Sequence, residues 1–261
     1  MRTMRRLRLV AVMAVCACHR GGHPGSAAVP RPEAQLEKAR AEFRSGAFRR
    51  ALATFQRAIY DLSPADREMA EARYFLAECY FQTGDLVQAA HEFRQVADQY
   101  ADSPFAPLAL LRAGDANLRL WKRPELDPAY GEAALAIYQE LAGRYPGTDA
   151  AARGQLHVRQ LREWFAEKTY MNGLFYFTRR AYDSAIIYFK EIVANYAEAP
   201  RAADALLRLV DIYRAIGYAE ERRETCAHLW RYYPNANGLA RSCPPDTGAA
   251  VPGPPGRPPS P

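Results

Sequence analysis

From Glu33 to Tyr233 the chain alternates apolar and polar residues with the three-to-four-residue period of amphipathic helices, and no stretch shows the period of two that a half-buried strand requires. The clearest segment surrounds Gly84. Ala77 and Tyr80 fall on one helix, Gly84 supplies a turn, and Leu86, Ala89, Phe93 and Val96 fall on the next. The same order occurs earlier as Ala39, Gly46, Phe48, Ala51, Phe55 and Ala58, so Ala39 to Ala77 and Ala51 to Ala89 are both separated by 38 residues. Downstream, Ala134, Tyr138 and Leu141 mark the second helix of a third unit. Gly173, Tyr176, Tyr182, Ala185, Phe189 and Ile192 mark a fourth, and Val210, Tyr213, Gly217 and Leu229 a fifth. A recurring period of this length is the signature of a repeat array.

Small residues on one helix facing larger ones on its antiparallel partner resemble the tetratricopeptide pattern. Four units end alike, at Tyr100-Ala101-Asp102-Ser103-Pro104, Tyr145-Pro146, Tyr196-Ala197-Glu198-Ala199-Pro200 and Tyr233-Pro234. Proline stops a helix because it lacks an amide hydrogen and clashes with the preceding turn. The predicted fold is all-α: a right-handed superhelical solenoid of about five tetratricopeptide-like hairpins with a concave surface, over approximately 33–63, 66–101, 104–146, 149–197 and 200–234. One irregularity interrupts it. Gly114 and Gly173, equivalent positions in the third and fourth units, stand 59 residues apart. Residues 121–128, Trp-Lys-Arg-Pro-Glu-Leu-Asp-Pro, lengthen the third turn into an exposed loop. Asp149 to Arg179 runs without proline, with Leu156, Leu161, Phe165, Thr169, Gly173 and Tyr176 near one face, which predicts a long helix joining two halves of the solenoid.

The ends differ from this body. Residues 1–17 combine Arg2, Arg5, Arg6 and Arg8 with an apolar stretch from Leu9 to Ala17, too short to span a bilayer and typical of a signal peptide. Val15-Cys16-Ala17-Cys18 resembles a bacterial lipobox with Cys18 as the acylated, palmitate-bearing residue; Cys16 is the competing acceptor, and simple secretion with Cys18 free is the plain alternative. Several acyl chains on Cys18 would hold the protein stably at a membrane, since each buried methylene contributes about 0.8 kcal/mol. His19 follows where aspartate would favour inner-membrane retention, so the expected location is the periplasmic face of an outer membrane. Residues 18–32 read as a flexible tether, and 235–261, which includes Pro252-Gly253-Pro254-Pro255 and closes on Pro258-Pro259-Ser260-Pro261, as a proline-rich disordered tail. Without residues 1–17 the formal charge of +6 falls to +2, 31 basic against 29 acidic side chains. The basic balance therefore belongs to the leader, and nucleic acid is not an expected partner.

Reactive chemistry is sparse. Cys79, Cys226 and Cys243 are odd in number and form no Cys-x-x-Cys pair. A Cys226–Cys243 bridge is open in an oxidising compartment, but Cys226 falls on the repeat position of Phe55, Phe93, Tyr138 and Phe189, which points to a buried core residue. The histidines, at 19, 23, 91, 157 and 228, show no metal-ligand spacing, and there is no phosphate loop, nucleophile elbow or HExxH. No enzyme activity, metal or cofactor is expected. Phe175-Tyr176-Phe177 and Tyr232-Tyr233 could anchor a peptide, although repeat cores use the same residues; Arg179-Arg180 and Arg222-Arg223 could meet acidic groups, or simply be solvated helix ends.

Residues Ala136 to Tyr196, together with the five units, the lengthened third turn and the lipobox, resemble the BamD family of outer-membrane assembly lipoproteins over roughly residues 18–233. The resemblance implies a scaffold of the β-barrel assembly (BAM) complex. Its partners would be a BamA-like barrel protein, bound through its POTRA domain, other BAM lipoproteins, and unfolded outer-membrane β-barrel proteins. On that footing Arg73, Tyr74 and Tyr80 would line the second unit's concave surface, Tyr188 and Lys190 stand where the family presents basic side chains to BamA, and Arg222 is a further candidate contact. Closely similar repeats occur in the Tol-Pal-associated YbgF/CpoB coordinators, which remain the alternative.

Overall fold

The computed structural model describes residues 32–65 and 67–245. The expected signal peptide, Cys18 and the expected tether up to Arg31, and the residues from 246 onward lie outside the described residues. Ten helices form five antiparallel pairs: α1 (Pro32–Arg44) with α2 (Phe48–Asp61), α3 (Glu68–Thr83) with α4 (Leu86–Gln99), α5 (Phe105–Leu120) with α6 (Ala129–Arg144), α7 (Asp149–Thr178) with α8 (Tyr182–Asn195), and α9 (Arg201–Ile216) with α10 (Ala219–Tyr232). A short α11 (Leu239–Ser242) follows. Each of α1 to α9 packs on the next helix in sequence, α11 packs back on α9, and odd-numbered helices also touch the odd-numbered helices of adjoining units. The even-numbered helices share no comparable contact among the described residues. Hairpins stacked with their first helices crowded and their second helices spread form a curved solenoid with α1, α3, α5, α7 and α9 on the inner side.

Within a pair, a small residue on the inner helix admits an aromatic ring from the outer one. Ala39 and Phe55, and Ala77 and Phe93, are fully or nearly fully buried in this way. In the fourth unit a Cβ added at Gly173 would stand 2.6 Å from the Phe189 ring, so no larger residue fits. Seven residues after the small position the chain turns through the left-handed region, at Gly46, Gly84 and Gly217, and at Arg180 with φ of 60°. The third unit has Trp121 at that place, with φ of −83°. Instead of turning tightly, the chain buries the Trp121 ring against Phe165, with centroids 4.8 Å apart, and Trp164 at 5.4 Å, and continues through the loop 121–128. Lys168 on α7 holds that loop by donating to the Leu126 carbonyl at 2.9 Å.

The long helix α7 has 30 residues, capped by Thr148, whose hydroxyl accepts from the Ala151 amide at 3.2 Å. At 1.5 Å per residue it is about 45 Å long. Its first part, through Phe165, belongs to a core shared with α3 to α6; from Ala166 on it belongs to the core of α8 to α11. A third cluster fills the first unit and the facing side of α3. Leu156 is an exception to the expected apolar face, standing 55% exposed, because the buried line runs through Gly154, Leu161, Phe165, Thr169 and Gly173.

Two expectations for the C-terminal end are corrected. The folded body does not end near residue 234: residues 235–243 turn back onto α9 and α10, burying Leu239 and Cys243. Cys226 is not a core residue like Phe189 but is half-buried and disulfide-bonded to Cys243. The reason lies across the hairpin. Val210 occupies the inner position that elsewhere holds alanine or glycine, and it is completely buried. Its bulk takes the space an aromatic ring would need, so a small residue suffices opposite, and the thiol is left at the edge within reach of Cys243.

Candidate partner-binding surfaces

The inner helices are joined by arginines that reach from one unit to the next. Arg112 on α5 makes a two-pronged contact with Glu78 on α3, Nε to Oε1 at 2.5 Å and Nη2 to Oε2 at 2.8 Å, while Nη1 donates to Asp115 at 3.0 Å. Its guanidinium lies 3.9 Å from the centroid of the Phe81 ring. Asp115 also accepts from the Tyr138 hydroxyl at 2.8 Å, with His157 Nε2 3.5 Å away and the imidazole stacked on Tyr138. Burial by itself lowers the Arg112 pKa, but the hydrogen bonds and charges of Glu78 and Asp115 outweigh it and raise the value overall. Burial, then the Asp115 charge, raises the Tyr138 pKa. The same construction recurs on α9. Arg201 contacts Glu167 of α7, Asp204 and the Tyr170 ring; Arg208 contacts the Tyr170 hydroxyl, Asp211 and the Phe177 ring. An Arg-x-x-Asp spacing at 112, 201 and 208 is the sequence trace of this device, which composition and repeat alignment did not single out.

The second-unit candidates are engaged inside the fold. Tyr74 packs against Phe75, Phe93 and Phe105 and donates to Glu78 at 3.2 Å, and burial raises its pKa. Tyr80 accepts from Gln56 Nε2 at 3.0 Å, linking the first two units. Arg73 turns toward α4, donating to Gln95 at 3.1 Å and standing 3.6 Å from Glu92, with its buried Nε atom lacking a hydrogen-bond partner. Arg119 and Arg153, on the inner helices α5 and α7, are exposed and make no ion pair among the described residues.

A second surface lies where α7 meets α8. Tyr188 stacks on Tyr176 with centroids 5.4 Å apart and an interplanar angle of 10°, and the Tyr176 ring meets Phe175 edge-on at 5.2 Å. Phe175 is 51% exposed. Arg179 lies over it, 3.6 Å from its centroid, held there because Nη1 donates to the Phe175 carbonyl at 2.9 Å. A cation at this helix C-terminus also suits the negative end of the helix dipole. Lys190 is exposed but, two residues beyond Tyr188, points to a different side of α8. Arg222 lies apart, half-exposed in the first turn of α10, with no side-chain partner among the described residues. Of the contact residues expected from the family resemblance, Tyr188 alone is gathered into a shared surface, where it joins Phe175, Tyr176 and Arg179 from the aromatic and basic runs marked in the sequence.

Among the described residues no group of three or more His, Cys, Asp and Glu is placed to hold a metal ion, and no helix is long and apolar enough to cross a membrane. In comparisons with known proteins, residues 30–229 match the YfiO family, described as outer membrane lipoprotein. The chain is 28% identical over 99 residues to the outer membrane protein assembly factor BamD of Rickettsia prowazekii (strain Madrid E), covering 38% of this chain and 39% of that protein. It is 31% identical over 108 residues to the BamD of Caulobacter vibrioides (strain ATCC 19089 / CIP 103742 / CB 15), covering 41% of this chain and 35% of that protein. The chain therefore spans less than half the length of the curated relatives it matches. Among solved structures it is similar to a thermophilic TPR protein of Thermus thermophilus, with a TM-score of 0.37 and 20% identity over 81% of this chain and 96% of that one. With 200 consecutive residues matched, the chain belongs to the YfiO family of outer membrane lipoproteins.

Proposed function

We propose that this protein is an assembly factor for outer-membrane β-barrel proteins, a scaffold anchored by lipid at Cys18 to the periplasmic face of the outer membrane. The family match across residues 30–229 carries this reading. In it, the cluster of Phe175, Tyr176, Tyr188 and Arg179 receives the POTRA region of a BamA-like barrel protein, since exposed aromatic rings and arginine are the residues on which binding energy concentrates. Lys190, on another side of α8, and Arg222, apart on α10, lie outside this contact. The inner side, where Arg119 and Arg153 lack carboxylate partners among the described residues, offers cations to unfolded barrel substrates, while Arg73, Tyr74 and Tyr80 hold its shape. Other BAM lipoproteins complete the complex.

Depletion followed by outer-membrane fractionation tests the function: many barrel proteins should disappear together. Intact barrels with a septation defect would instead favour the Tol-Pal coordinators. Phe175→Ala combined with Tyr188→Ala should lower co-purification of a POTRA-containing barrel protein by roughly tenfold or more in mild detergent, the loss expected when two anchor residues are truncated. Unchanged recovery would place that contact elsewhere. Cys18→Ala should abolish palmitate labelling and release the protein from membranes.

A further inference from the structure

The C-terminal end of the solenoid carries a covalent cross-link, Cys226–Cys243. In a stacked array each hairpin is covered by the first helix of the next, and a terminal hairpin without such a cover leaves apolar surface in water. Here residues 235–243 take that place. Leu239 is 2% exposed, Arg214 of α9 donates to the Ser242 carbonyl at 2.7 Å, and the Trp230 indole of α10 donates to the Cys243 carbonyl at 3.1 Å. The cover is slight, however. α11 has four residues, closed by hydrogen bonds that the Ser242 amide donates to the Gly238 carbonyl at 3.0 Å and the Cys243 amide to the Leu239 carbonyl at 2.7 Å. A helix this short does not hold itself together in water. The Cys226–Cys243 bond, with Cα atoms 5.5 Å apart and a sequence separation of 17 residues, ties it to α10.

We propose that Cys226 and Cys243 are a substrate site for thiol oxidation by a protein disulfide of the extracytoplasmic space, and that this reaction locks the cap of the solenoid. Cys243 is 2% exposed once the cap is docked, so it reacts beforehand, while residues 235–243 stand off the body. Its thiolate attacks the oxidant's disulfide, forming a mixed disulfide and expelling one oxidant thiolate. The Cys226 thiolate then attacks the Cys243 sulfur and expels the second. Two cysteine thiols lose two protons and two electrons, and the oxidant leaves as a dithiol. Cys79, the free cysteine among the described residues, does not compete: burial, then the neighbouring Glu78 charge, pushes its thiol up to about 12.

The first test is thiol state. When the full-length protein is alkylated at cell lysis and digested, Cys226 and Cys243 should emerge in one linked peptide pair, and a strain lacking its extracytoplasmic thiol oxidase should yield both alkylated. Alkylation of both cysteines in the parent strain would overturn the proposal, as would linkage undiminished without the oxidase. The second test is the cap itself. Reduction, or Cys243→Ser, should accelerate hydrogen exchange at the Ser242 and position-243 amides by on the order of 100-fold, the scale expected from opening a loop of this size. Exchange in α7 and α8 should not change, which distinguishes release of the cap from general unfolding. Equal protection with and without the bond would show that the cap holds without a lock.

Discussion

The two halves of the solenoid, divided along α7 between Phe165 and Ala166, use the same arginine device in different surroundings. On the first side Arg112, Glu78 and Asp115 are 19%, 9% and 14% exposed, and Tyr138 and His157 extend the network to α6 and α7. On the second side Arg201, Glu167 and Asp204 are 37%, 31% and 42% exposed. The contacts have similar lengths, yet their energetic weight differs. Water screens the exposed group and can solvate whichever partner remains, whereas Glu78 without Arg112 would be a charge stranded in the core. The C-terminal half compensates at its end with a disulfide instead of a buried ion cluster.

The largest expected effect follows directly. Arg112→Ala should cost about 3–5 kcal/mol, the range for breaking a buried pair from one side, and Arg201→Ala no more than about 1 kcal/mol. Urea denaturation of both variants measures this, and equal losses would remove the distinction between the halves. Next in size, Gly173→Val should destabilise by about 1–3 kcal/mol through overpacking against Phe189. If the two cores along α7 are separable, denaturation of that variant should show α8 to α10 losing hydrogen-exchange protection before α3 to α6. Simultaneous loss would mean that α7 couples them into one cooperative unit.

Smaller effects test the turns and the second half's titration. Arg180 alone among the non-glycine described residues has a positive φ. Arg180→Gly should therefore raise stability by about 0.5–1 kcal/mol, the relief of a left-handed backbone exceeding the added freedom of the unfolded chain. A lower thermal midpoint would reveal a side-chain role that the structure does not show. His228, on α10, has its pKa held below the ordinary 6.5 by burial and then by Arg231. The unfolded chain binds the proton more tightly, so stability should fall as pH drops from 6.5 toward the folded value, and His228→Gln should flatten that slope. A pH dependence unchanged by the substitution would remove His228 as its source.

Much of the architecture could be read from the repeat alone: five helix pairs, the long helix beginning at Asp149 and the extended turn at 121–128. Period and proline placement report on local backbone, which is why they were legible. The site was less so. Tyr188 was marked from the family resemblance, but its stacking on Tyr176 beside Phe175 and Arg179 joins two helices and has no local signal. Arg73, Tyr74 and Tyr80 lie on one predicted helix, yet their side chains turn to different internal partners.

Cys226 shows the limit most sharply. Its place in the repeat, level with Phe55, Phe93, Tyr138 and Phe189, is legible in the chain alone, because helical period and the recurring hairpin assign it. What that place means could not be read there, since the room available to residue 226 depends on Val210 across the hairpin and on a chain segment returning through residue 243. Periodicity fixes which way a side chain points along its own helix. What fills the space it points into is a property of the packed assembly.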